Sequence, residues 1–332
     1  MRERLLARLT GILARVAIGA AVLLVSVWAA LALWYRLSLP EEARLLAAGA
    51  FGLLGLATIV ALVRRRAAAA SLFALAVAGV FVWWASIVPP ADADWSPDVA
   101  RQVTGTVDGS VLSLTGVRNF DWRGEDDFTP AWETQRYDLD QLRTLDMFMS
   151  YWAGPSMAHM ILSFGFADGR YLAWSVEVRR RRGGGFSPIA DLFKSNTLVL
   201  VAAEERDVIG VRTNIRGEDV QRYRLDIPQE MIRALLLQYV ADANALATRP
   251  TFYNSLTSNC TTTVVRMARA LGDVLPADWR LIVNGYLPEY AYDMGALDSS
   301  RPMAELRAEA RISPRALAAG LTSSFSQDIR QP

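Results

Sequence analysis

Three apolar runs in the first 90 residues constrain this chain more than anything else in it. They cover roughly residues 16–35, 45–63 and 67–88, and none has a charged side chain inside. At about 1.5 Å of rise per residue, about 20 residues span a hydrocarbon core of about 30 Å. The chain therefore begins as a three-span membrane protein. Trp34, Tyr35, Trp83 and Trp84 fall near span ends, where amphipathic rings favour the headgroup level.

Arginine placement orients the spans. Arg2, Arg4, Arg8 and Arg15 precede the first, and Arg64, Arg65 and Arg66 turn the chain between the second and third. Between the first and second, Arg36 and Arg44 are offset by Glu41 and Glu42. The positive-inside rule puts the N-terminus and the triple-arginine turn in the cytoplasm, and everything after Val88 outside it. A cleaved signal peptide ending near Ala30-Leu31-Ala32 is the alternative, but the run is too long for one and two more spans follow. The expected location is a bacterial inner membrane, with the rest of the chain in the periplasm.

The remaining residues divide, on this reading, into a linker over 89–102, a domain over 103–298, and a peripheral helix with a loose tail over 299–332. Pro89-Pro90 stops the third helix, and Asp92, Asp94 and Asp98 favour solvent. Extended, such a linker reaches at most about 50 Å, which keeps the domain near the bilayer. Strand-like runs fall at 111–117, 158–166, 171–178, 197–202, 209–213 and 221–225. Helical patterns fall at 139–151, 229–246, 260–271 and 302–311. Strands bunched between helices predict an α+β domain with a mostly antiparallel sheet. Asp168-Gly169 is a hairpin signal that pairs the strand of His159 with that of Glu177.

The chain has one cysteine and one histidine, and a single lysine, Lys194. That excludes an intramolecular disulfide and any Cys/His zinc site, and no metal or other cofactor is implied. A formal net charge of +1 implies no nucleic-acid partner. Cys260 follows the polar stretch Tyr253-Asn254-Ser255-Leu256-Thr257-Ser258-Asn259 and precedes an apolar stripe of Val264, Ala268 and Leu271. That pattern puts it at a helix N-terminus, where the dipole and free N–H groups favour a thiolate and an oxyanion alike. Asn259, Thr261 and Tyr253 are the neighbours placed to position the reacting groups, and Asn254 is a candidate for substrate binding. The ordinary alternative for Cys260 is a small buried apolar residue.

His159 begins a strand, and a thiol needs such a base to react fast. Alternation places Ser175 and Glu177 on one strand face, so either is a candidate to orient the imidazole. Glu177 as an arginine's salt-bridge partner is an equal alternative. Arg179 heads a basic run to Arg182, followed by Gly183-Gly184-Gly185, suited either to anionic headgroups or to a solvated hairpin loop. Glu125-Asp126-Asp127 lacks the ligand spacing of a calcium loop. Trp122, Trp132, Trp152 and Trp174 suit a core better than a binding groove.

Several ordered segments resemble one bacterial family: Val117-Arg118-Asn119-Phe120-Asp121-Trp122-Arg123, Tyr137-Asp138-Leu139, Ala158-His159 with Ser163-Phe164-Gly165-Phe166, Ser175-Val176-Glu177-Val178-Arg179, Glu205-Arg206-Asp207, Tyr223 with Leu225, and Tyr253-Asn254 through Asn259-Cys260-Thr261-Thr262. It is the family of the N-terminal periplasmic domain of Lnb, the lipoprotein intramolecular transacylase. The resemblance spans residues 103–271 and implies that His159 and Cys260 match the family's histidine and cysteine. The His-before-Cys order is also similar to permuted papain-like folds of the NlpC type, a class that includes enzymes holding an acyl group on cysteine. Lnb itself carries its membrane helices after this domain and has more of them. The expected function is thiol acyl transfer on a membrane phospholipid or lipoprotein ester. A cell-wall cysteine amidase or peptidase, and a non-enzymatic envelope sensor, are the competing expectations.

Overall fold

The computed structural model describes residues 2–64, 67–272 and 275–331, so Arg65 and Arg66 of the triple-arginine turn lie outside the described residues. The chain divides into two units, Met1–Pro89 with Pro188–Ser195, and Pro90–Ser187 with Asn196–Pro332.

In the first unit, α1 (Arg2–Arg36), α2 (Glu41–Val63) and α3 (Ala67–Ser86) form the anchor. The stretches long and apolar enough to cross a membrane are Leu9–Arg36, Glu41–Val63 and Ala68–Ser86. A small residue sets one close approach, because a Cβ on Gly55 of α2 would lie 1.9 Å from Ser26 Oγ of α1. Ser26 and Thr58 return their hydroxyls to their own helices, donating to the Val22 and Leu54 carbonyls, so neither leaves a polar group unsatisfied in an apolar setting. The unit also includes α4 (Pro188–Asp191) and the residues after it. Lys194 Nζ donates to the Trp84 and Ile87 carbonyls at 2.8 and 3.2 Å, and Phe193 stacks on Tyr35. The sequence reading placed this excursion inside the soluble domain. It groups instead with the anchor, where the ammonium group meets carbonyls at and just past the C-terminus of α3, the end of a helix that favours a cation.

The second unit is built on one sheet of eight strands: β1 (Thr104–Asp108), β2 (Val111–Arg118), β5 (Trp132–Asp138), β6 (Leu142–Tyr151), β7 (Ala158–Phe166), β8 (Tyr171–Arg179), β9 (Thr197–Ala203) and β10 (Asp219–Leu225). The order is β1-β2-β9-β8-β7-β6-β10, with β5 added to β2, and a two-stranded β3 (Asp121–Trp122) and β4 (Phe128–Thr129) set aside from it. Every ladder is antiparallel except the single β2–β9 pair, Arg118 with Ala203. This is the mostly antiparallel α+β domain that the sequence implies.

Both faces of the sheet are covered. On one, Met160, Leu162 and Phe164 of β7 pack with α6 (Gln229–Thr248), α7 (Cys260–Ala270) and α8 (Leu287–Asp293). On the other, Ile161 packs with Val208 of α5 (Glu205–Val208), and with Ile312, Ala316, Phe325 and Ile329 from the C-terminal helices. The tail is thus no loose appendage. After α9 (Met303–Ala310), the helices α10 (Ser313–Ala319) and α11 (Phe325–Asp328) close the second core, and Arg330 reaches the fully buried Asp146 and Glu205 at 2.8 and 2.6 Å.

Burial on both faces explains where the sequence misleads. Residues 142–151 read as a helix but form β6. Leu145, Met147 and Met149 face one core and Phe148 the other, so the period of two is lost. Residues 209–213 read as a strand, yet Val211–Ile215 closes a π-turn in which Arg216 N–H donates to the Val211 carbonyl. The stretch 89–102 is no free linker either, since Trp95 and Val99 are buried. Its acidic residues meet the basic run, Asp98 pairing with Arg180 and Asp94 with Arg182. Two of the resembling segments also meet. Asp207 accepts from the Arg118 guanidinium, the Phe120 N–H and Trp122 Nε1, all within 2.8–3.1 Å, which makes them framework rather than site.

Candidate active site

The site lies where β7 and β8 part. Their ladder ends at Ile161 with Ser175, two residues short of a His159–Glu177 pair. The N-terminus of α7, which packs against both strands, reaches this parted end. Asn259 caps the helix through a capping box, its side chain accepting from Thr262 N–H while the Thr262 hydroxyl accepts from Asn259 N–H at 2.9 Å. Cys260 is therefore the first helical residue, 6% exposed, and the N–H groups of Cys260 and Thr261 have no intrahelical acceptor.

A hydrogen-bonded chain leads to it from β8. Ser175 Oγ donates to Glu177 Oε1 at 2.6 Å, which spends its one proton. Ser175 Oγ, 2.7 Å from His159 Nε2, must then accept from it. Glu177 Oε1 also lies 3.2 Å from Nε2 and accepts from Arg212 Nη2 at 2.9 Å. With Nε2 held as a donor, Nδ1 is the nitrogen left to serve the Cys260 thiol, whose ionisation the neighbouring His159 favours.

The electrostatics follow from this chain. Burial disfavours a charged His159, but the Glu177 carboxylate and the interaction with Cys260 together outweigh that and the repulsion of Arg212, and the imidazole is pushed up to about 9. Burial pushes the Cys260 thiol up, yet the His159 hydrogen bond and charge, the Met160 N–H and the Thr261 hydroxyl bring it below its usual value. Glu177 is buried too, which raises it, but His159 and Arg212 hold it well below the carboxylate range. These directions favour a thiolate–imidazolium pair over the neutral thiol and imidazole.

Asn284 closes the site from the far side, a residue the sequence reading did not single out. Its amide donates to the Ala158 carbonyl at 2.7 Å and to Thr261 Oγ1 at 3.0 Å, and lies 3.7 Å from Cys260 Sγ. Arg212 was missed as well, hidden in an apolar run that resembles a strand. The other expected residues have structural work. Asn254 Oδ1 accepts from Leu256 and Thr257 N–H, shaping the turn before the helix. Tyr253 is buried, its N–H donating to the Asn196 carbonyl. Arg179 donates to the Val99 and Ala100 carbonyls and lies over the Trp95 ring, so it clamps the 95–100 stretch.

Residues 128–285 match the family described as the Lnb N-terminal periplasmic domain. This segment belongs to that family. The match begins later and ends further on than the resembling residues, and it encloses His159, Ser175, Glu177, Arg212, Cys260 and Asn284. With three candidate membrane spans ahead of an Lnb-type domain, the chain is an inner-membrane protein whose domain is periplasmic, and the family is tied to lipoprotein processing in the envelope. No curated protein and no solved structure matches the chain.

Proposed function

We propose that this protein is a membrane-anchored periplasmic thiol acyltransferase with a permuted papain-like site, acting on the ester of a phospholipid or lipoprotein. The reading rests above all on the convergence of the Glu177–Ser175–His159 chain on a thiol at a helix N-terminus. Cys260 Sγ attacks the ester carbonyl carbon, the C–S bond forms and the C–O bond breaks. The departing alkoxide takes a proton from His159. An amine or hydroxyl acceptor then attacks the thioester carbonyl, giving its proton to His159 as sulfur leaves. Ser175 and Glu177 keep Nε2 a donor and stabilise the imidazolium. The N–H groups of Cys260 and Thr261 face the developing oxyanion. Asn259 fixes the helix start from which they project.

The test is to trap the intermediate. Full-length protein mixed with a diacylated lipopeptide or phospholipid should gain a fatty-acyl mass on the peptide containing Cys260, removable by neutral hydroxylamine. Cys260→Ala should gain none, and His159→Ala should acylate slowly at best. An adduct formed only with cell-wall peptides would replace acyl transfer by amidase chemistry. No adduct with any donor, together with full complementation by Cys260→Ala, would make the protein a sensor.

A further inference from the structure

Behind α7, on the side of the sheet shared with α6 and α8, lies a cavity of about 140 Å³. Its wall is almost wholly apolar. Only Thr261 and Tyr290 bring polar side chains to it, and both hydroxyls are engaged, Thr261 Oγ1 accepting from Asn284 and Tyr290 donating to the Pro276 carbonyl at 3.1 Å. A water there would need two to four polar partners and would not find them. Met147, Met160, Met231 and Met294 line it, side chains that are flexible and repack around guests of different shape.

The cavity starts one residue from the sulfur. Thr261 follows Cys260 and its Oγ1 is 4.0 Å from Sγ. Met160, next in the strand after His159, lines the same cavity. We infer that this cavity holds part of the hydrocarbon chain of an acyl group carried on Cys260, and so makes the site selective for acyl length. The inference rests on the acyl-enzyme reading above. An apolar cavity of about 150 Å³ holds benzene, so this one takes about six carbons, and a longer chain must leave by the rim, where Met294 is exposed. A peptide carbonyl flanked by charged side chains finds nothing there to pair with.

The experiment uses full-length protein in lipid nanodiscs and p-nitrophenyl esters from acetate to octanoate. Acylation forms the S–C bond and releases p-nitrophenolate, and mass spectrometry of the Cys260 peptide confirms the adduct. Each methylene that enters the cavity should raise the acylation rate about fourfold, giving on the order of a hundredfold from butanoate to octanoate before the profile flattens. Ala268→Phe fills the cavity from α7, and Met294→Trp blocks it at the rim, both remote from the reacting groups. Each should keep the acetate rate and lose most of the climb. Unchanged iodoacetamide labelling of Cys260 shows that a variant is folded, and the rim variant stands in if Ala268→Phe is not. Acetylation of Cys260 with a flat length profile, or a climb that survives both variants, overturns the cavity assignment while the acyl-enzyme reading stands. Failure of every ester to acylate Cys260 overturns both.

Discussion

The side-chain amide of Asn284 brackets the backbone of Ala158, accepting its N–H at 3.0 Å and donating to its carbonyl at 2.7 Å. Because one oxygen must accept and one nitrogen must donate, this double bond fixes which way the amide points. Nδ2 therefore faces Thr261 and Cys260, and one residue ties the strand of His159 to the helix of the thiol. Asn284→Ala removes all of this and leaves buried groups unsatisfied, at about 1–3 kcal/mol of stability. Thiol labelling should slow about tenfold or more at neutral pH. Asn284→Asp puts a carboxylate beside the sulfur and should move the labelling curve to higher pH. Labelling curves that coincide for wild type and both variants would remove Asn284 from the site.

A second prediction concerns pH. His159 is held up to about 9 in the folded protein, against about 6.5 for an unperturbed histidine. A group raised on folding contributes stability that is complete below pH of about 6.5 and is lost as pH rises through about 9. Melting temperature should thus fall by several degrees between those limits, at about 2–4 °C per kcal/mol for a domain of this size. His159→Gln cannot titrate and should flatten that slope. Cys260 is lowered, so iodoacetamide should label it well below the pH of about 8.5 expected for a free thiol. Labelling that rises only above that pH would return Cys260 to an inert buried role.

Much of this site was legible because local pattern and tertiary structure agree there. Alternation put Ser175 and Glu177 on one face, the Asp168-Gly169 turn paired their strand with that of His159, and polar caps before an apolar stripe started the helix at Cys260. Legibility failed where burial is two-sided, as in β6, because no face is left for solvent to mark. It failed also where a partner is purely tertiary. Asn284 sits 24 residues past Cys260 in a stretch without periodicity. The one local sign is the glycine after it, and Arg212 offers only the oddity of an arginine among β-branched residues.

That glycine supports a third prediction. A Cβ on Gly285 would fall 2.0 Å from the Pro155 carbonyl oxygen and 2.9 Å from Met157 N, backbone atoms that cannot swing aside. Gly285 N–H also donates to the Ser156 carbonyl at 3.1 Å, binding the loop before His159 to the turn that carries Asn284. Gly285→Ala should push the two apart, cost about 1–3 kcal/mol, and slow Cys260 labelling more than its effect on melting explains. A variant that melts lower but labels at the wild-type rate would make the glycine merely structural.

The C-terminus gives the last prediction, since it was expected to be loose and is not. Asp146 and Glu205 are fully buried carboxylates, each bonded to Arg330, whose guanidinium also lies 3.5 Å from the centre of the Tyr171 ring. The two are not equally dependent on it. Asp146 keeps Arg222 and Arg224 at 3.0 and 2.7 Å, whereas Glu205 would keep only the Ser163 hydroxyl at 2.5 Å. Removing one partner of a buried pair leaves an uncompensated charge, at about 3–5 kcal/mol. Arg330→Ala should therefore lower stability by about that amount, and Glu205→Gln placed on top of it should restore part of the loss, because the stranded charge is gone. Asp146→Asn on the same background should restore less. Thermal or denaturant unfolding of the single and double variants reads the difference directly. Equal rescue by both substitutions, or no loss from Arg330→Ala at all, would mean that the tail is not held by this cluster.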